Sequence, residues 1–149
     1  MHNLIKLIDC ICDTYDSEEY KPKGGITYCN QAVNNVAFGL GYFGFKSMNA
    51  NQMIDHIESS SEWDKCDHIS AQDFSNIGRF VIAGKKNLPH GHVVVIRPGI
   101  SIYSNKYKTY VPRCLNIGSD IFIAKFKGVR AGTNWAFPEM PIFYYWKNS

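Results

Sequence analysis

The sequence predicts an α+β domain, and three observations carry that prediction. Apolar residues recur at helical spacing through the first half of the chain. The second half is filled by β-branched and aromatic runs bounded by Gly, Pro, Asn and Asp. No repeat, low-complexity tract or linker separates the halves. Helices followed by strands, rather than alternating with them, indicate N-terminal helices packed on an antiparallel β-sheet. With 149 residues, 45% of them hydrophobic and 14% aromatic, residues 1–149 read as a single domain able to bury a core without staples.

The opening MHNLIKLIDCICDTY places Leu4, Ile5, Leu7, Ile8 and Ile11 in an amphipathic helical pattern. Acidic residues interrupt it and no small-residue cleavage site follows, so it does not read as a signal peptide. After a polar stretch and the KPKGG loop, Cys29, Ala32, Val33, Val36, Ala37 and Leu40 recur at helical spacing, and Gly39, Gly41 and Gly44 end the run. Cys29 is thus expected to start a helix with an apolar inner face. MNANQMIDHIESS puts Met53, Ile54 and Ile57 on one side of a short helix, and SAQDFSN offers Ser70 as N-cap with Asp73 after it. Strands are expected over 78–84, 91–99, 108–118, 120–126 and 141–147.

Composition narrows the function classes. The net charge of +3 comes without a Lys/Arg run or basic stripe, so nucleic acid is not an expected partner. No apolar run approaches the ~20 residues of a membrane helix. Five cysteines at irregular spacing do not form a disulfide framework, which favours synthesis in a reducing cytoplasm. Cys66, His68, His90 and His92 lack the usual zinc-ligand spacings, so neither a metal nor another cofactor is expected.

Chemistry is expected at Cys29. A buried structural cysteine needs only apolar neighbours, whereas a nucleophile needs its thiolate stabilised, and a helix N-terminus supplies free N–H donors and a positive dipole. Such a thiol also needs a base, and the base an orienting group. Among five histidines, His90 and His92 flank Gly91 at the start of VVVIRPG. Its apolar run marks a central strand covered on both faces, so His92 at its first position is the better base. If the next strand returns with its connection centred near Ser104, His92 lies opposite Asn116, Val94 opposite Cys114 and Ile96 opposite Pro112. A tight turn at Pro98-Gly99 would place Asn105 opposite His92 instead, but a type II turn splays hairpin strands. Asn116 ranks first and Asn105 second.

In their order along the chain, TYCNQAV, MNANQMIDHI, AQDFSNIGRFVIAG, HGHVVVIRPG, VPRCLNIGS and NWAFPEMPIFYYWK resemble the NlpC/P60 and CHAP superfamily of papain-like cysteine peptidases and amidases, over roughly residues 24–147. Tyr28-Cys29-Asn30 stands where Asp-Cys-Ser is usual, and Asn116 where the third position is usually His. The resemblance implies the papain-like NlpC/P60 fold with Cys29 as nucleophile, His92 as base and Asn116 as orienter. It also implies hydrolysis of peptide or amide bonds in bacterial peptidoglycan, with the stem peptide as substrate. The thiolate, favoured by the helix N-terminus and a His92 imidazolium, would attack the scissile carbonyl, and the Cys29 N–H would hold part of the oxyanion. One such donor is worth about 3 kcal/mol, so a second is expected, with the Tyr28 and Tyr20 hydroxyls as candidates. A monomer without cofactor, made in the cytoplasm and reaching the wall by a non-Sec route, fits a phage endolysin or a secreted antibacterial effector countered by an immunity protein. The alternatives are a non-catalytic peptide- or glycan-binding module on the same fold and a thiol acyltransferase.

Overall fold

The computed structural model describes residues 2–14, 29–117 and 131–149. The elements are α1 His2–Thr14, α2 Cys29–Gly39, α3 Ala50–Ser59, β1 Trp63–Cys66, α4 His68–Asn76, β2 Val81–Lys85, β3 His92–Ile96, β4 Ile102–Ser104, β5 Thr109–Val111, β6 Arg113–Leu115, β7 Ala131–Gly132, α5 Thr133–Ala136 and β8 Ile142–Trp146. The expected strand over 120–126 and the KPKGG loop lie outside the described residues. The α+β class with an antiparallel sheet is as predicted.

Six strands form one sheet in the order β1-β8-β2-β3-β6-β7, with antiparallel neighbours throughout. β4 and β5 form a separate hairpin. Side-chain alternation along the strands feeds two cores. Val93, Val95, Ile82 and Leu115 face α1, α2 and α3, packing with Ile8, Val33, Val36, Met53 and Ile57. Val94, Ile96, Val81, Ala83 and Cys114 face the other way, toward Ala71 of α4 and the segment after α5. β3 is therefore covered on both faces, which is why its apolar run is continuous rather than alternating.

Small residues on the inner face of α2, Ala32 and Ala37 among them, let this helix lie close against β3. It stops at Gly41, whose φ of +90° suits a residue without Cβ. There Tyr42 N–H reaches Ala37 O at 2.9 Å and Gly41 N–H reaches Phe38 O at 3.1 Å, the paired bonds of a Schellman cap. α3 starts on a capping box in which Asn49 and Gln52 each accept the other's backbone N–H at 2.9 Å.

Three expectations need correction. The N-cap of α4 is Asp67, not Ser70: its carboxylate accepts the Ser70 N–H at 2.7 Å, and the charge favours the helix N-terminus more than a hydroxyl does. The stretch 108–118 is not one strand, because Pro112 has no N–H for the ladder and divides it into β5 and β6 in different sheets. β1 and β4 were not expected at all. Charged residues fill the middle of β1, so its strand character comes from pairing with β8 rather than from its own pattern.

Candidate active site

β3 presents His92 at its first position and β6 ends just before Asn116. The observed register sets Val95 opposite Leu115 and Ile96 opposite Cys114, two residues away from the expected pairing. The expected pairs of His92 with Asn116, Val94 with Cys114 and Ile96 with Pro112 are therefore not direct cross-strand partners. A shift of two keeps every side chain on its face, so Asn116 becomes a diagonal neighbour of His92 and still reaches it. The cause is the β4–β5 hairpin, which takes up the connection that had been expected to be a plain return.

His92 Nε2 lies 2.7 Å from Asn116 Oδ1. A carboxamide oxygen only accepts, so Nε2 carries the proton and Nδ1 of the neutral ring is left as the acceptor. Phe137, 2% exposed, packs on the imidazole with ring centroids 5.2 Å apart. Its carbonyl is held by Lys106 Nζ at 2.7 Å and by the Tyr107 hydroxyl at 2.5 Å, so the β4–β5 turn anchors the ring that shields the His92–Asn116 bond. Sequence reasoning missed Phe137, and the only signal was an aromatic before Pro138. Asn105 is exposed in that same turn and takes no part.

Cys29 opens α2 and is 7% exposed on the floor of a small cleft of about 80 Å³ that is also lined by Asn51, Pro89, His90 and Gly91. Burial pushes the thiol above its usual 9.0, opposed by backbone N–H groups of Val93, Asn30 and Cys29 itself that donate toward the sulfur. The last two are the free donors of a helix's first turn. The Val93 N–H adjoins His92 along the strand, so the sulfur sits at the start of β3, approached from the α2 side. Burial also lowers His92 below its usual 6.5, against the opposing effect of the Asn116 bond. Burial thus favours the neutral form of each group and works against the thiolate–imidazolium pair expected from sequence. The structure brings His92 and Asn116 together and Cys29 to the same strand end, but no hydrogen bond joins the thiol to the ring.

The loop carrying His90 is clamped from α3. Asn51 donates to Asn87 O at 2.8 Å and accepts Asn87 N–H at 3.2 Å. Gly91 is required by this approach, because a Cβ there would collide with the Asn51 carboxamide and sit 2.9 Å from Lys85 O. His90 is exposed at the cleft rim with no side-chain partner among the described residues. Tyr20 and Tyr28 lie outside the described residues. Among those described, no three His, Cys, Asp or Glu residues gather as metal ligands, and no helix is long and apolar enough to cross a membrane. The sequence matches no known protein-family description and no curated protein. The likeness to NlpC/P60 and CHAP proteins therefore rests on the motifs alone.

Proposed function

We propose that the chain is a cysteine hydrolase of peptide or amide bonds, with Cys29 as nucleophile, His92 as general base and acid, and Asn116 as the residue that positions the ring. The observation that carries this reading is the 2.7 Å His92–Asn116 bond at the strand end where Cys29 also arrives. It leaves Nδ1 as the basic atom, which is the arrangement a thiol needs. From the neutral pair that burial favours, Nδ1 takes the thiol proton as the sulfur attacks the scissile carbonyl, and the ring then gives that proton to the departing amine. Water, deprotonated by the same nitrogen, cleaves the thioester and regenerates the thiol. The Cys29 N–H, a free donor of the first turn of α2, would stabilise the oxyanion.

Peptidoglycan as substrate, the papain-like NlpC/P60 fold and action at the cell wall rest on the motif resemblance. Purified sacculi incubated with wild type and with Cys29→Ala, and read by mass spectrometry of released fragments, test the whole reading. Release by the wild type alone is expected, and equal release by both proteins would remove Cys29 from the chemistry. A second reading, a binding module with an incidental thiol, is favoured by the protonated thiol and by its lack of a bond to His92. It requires that sacculi bind but are not cut, and that alkylation of Cys29 leaves binding unchanged.

A further inference from the structure

Beside the Cys29 cleft runs a larger groove of about 420 Å³ between α2 and the loop leading to α3, lined by Asn30, Gln31, Asn34, Ser47, Asn49 and Gln52 over a floor of Phe45 and Met48. The two spaces share Asn30 and Asn49 in their linings and so lie side by side. Its size is that of a small-ligand site. We propose that this groove is the substrate-binding subsite of the Cys29 cleft and takes a neutral segment bearing secondary amides. As a statement about substrate, this rests on the hydrolase reading above.

Three features point to a ligand. First, α2 sets Asn30 and Asn34 one turn apart on its outward face, with Gln31 beside them. Of these, Asn34 lies inside the helix, half-buried, where alanine would be better by roughly half a kcal/mol, so this one position opposes local stability. Sequences that break a local rule without structural gain commonly do so at functional sites. Second, Ser47 lines the groove at a φ of +61°, a left-handed conformation that costs a residue with a Cβ about 1–2 kcal/mol. Third, the hydrogen-bonding groups are only partly committed. Asn49 and Gln52 serve the α3 cap, and Asn30 Nδ2 donates to Met48 O at 3.1 Å while its Oδ1 has no partner among the described residues. Gln31 and half-buried Asn34 make no side-chain hydrogen bond among the described residues.

The ligand class follows from the lining. A carboxamide offers one acceptor and two donors, which matches the C=O and N–H of a secondary amide. Among the described residues none lining the groove is charged, so an ionised segment would lose water there and gain no counter-charge from them. Secondary amides reach such a site from two sources, a peptide backbone or the N-acetyl group of an amino sugar.

The test uses full-length Cys29→Ala, which cannot turn substrate over, titrated by NMR with an acetylated and amidated alanine tripeptide and separately with an N-acetylglucosamine trisaccharide. Binding of either probe, with shifts centred on residues 30–34 and 45–52, is expected. The probe that binds names the source. Gln31→Ala and Asn34→Ala should each weaken that binding about fivefold. Gln31 is exposed and alanine favours helix, so at least this variant keeps the fold, which a thermal melt verifies. Absence of binding by both probes at millimolar concentration, or binding indifferent to both substitutions, overturns the proposal. Release from sacculi by wild type, measured in parallel, separates the two readings. Release with an unresponsive groove overturns the subsite alone, and groove binding without release overturns the hydrolase alone.

Discussion

At the scale of single residues, the His92–Asn116 bond decides which ring nitrogen is basic, and its loss has a signature of its own. Asn116→Ala frees the ring to turn and is expected to lower kcat/KM about a hundredfold, the usual consequence of a misplaced catalytic group. Because the Asn116 bond raises the pKa of His92 against burial, its removal should also move the acid limb of the pH–rate profile to lower pH. A purely structural Asn116 would leave that limb in place. His92→Ala should abolish turnover, whereas exposed, unanchored His90→Ala should leave most of it. Stability follows the same groups. The folded pKa of His92 lies below 6.5, so the unfolded chain binds more protons between the two values, and stability is full above about pH 6.5 and falls as the pH drops toward the folded value. Cys29, raised above 9.0, costs stability as the pH rises past 9. His92 was legible in the sequence because the apolar run of β3 fixed it at a central strand's start. Asn116 was legible despite a wrong register, since an error of two preserves the face. Phe137 was not, because its place on the ring is set by Lys106 and Tyr107 across more than 25 residues of chain.

At the scale of elements, local chemistry was readable and pairing was not. The apolar faces of α2 and α3 were evident from periodicity, since burial of those faces is what creates the period. β1, with Asp64 and Lys65 exposed in its middle, carries no such mark, and only the approach of β8 makes it a strand. The β2–β3 loop also depends on a distant element, through Asn51. Gly91→Ala should force the Asn51 carboxamide off the loop backbone, at a cost of about 1–3 kcal/mol in chemical denaturation. If the clamp is what shapes the cleft, the same substitution should change the alkylation rate of Cys29, and Asn51→Ala should change it in the same direction. An unchanged rate in both variants would show that the loop holds its place without α3.

Over the whole molecule, α1 is tied to the far end of β3 by a charge cluster whose two sides differ in exposure. The Arg97 side chain is 0% exposed, and its Nη2 pairs with the carboxylates of Asp9 and Asp13, one helical turn apart and 36% and 56% exposed. Gln72 of α4 joins the same region from the opposite layer, donating to Arg97 O at 2.7 Å and accepting the Arg113 N–H at 2.8 Å. Helices on both faces of the sheet therefore meet at the strand end opposite His92. The difference in exposure predicts an asymmetry. Removing the carboxylates in Asp9→Ala/Asp13→Ala takes two acidic partners from a buried cation and should cost about 3–5 kcal/mol. Arg97→Met leaves two carboxylates that water already reaches and puts an apolar chain in a buried slot, so it should cost less. The triple variant should be more stable than the double, since it no longer buries the charge. Urea denaturation of the three variants measures the order. Equal losses in the double variant and Arg97→Met would mean that the pairs act as ordinary surface bridges, and that apolar contacts, those of Leu4, Ile8, Ile11 and Cys12 among them, hold α1 in place.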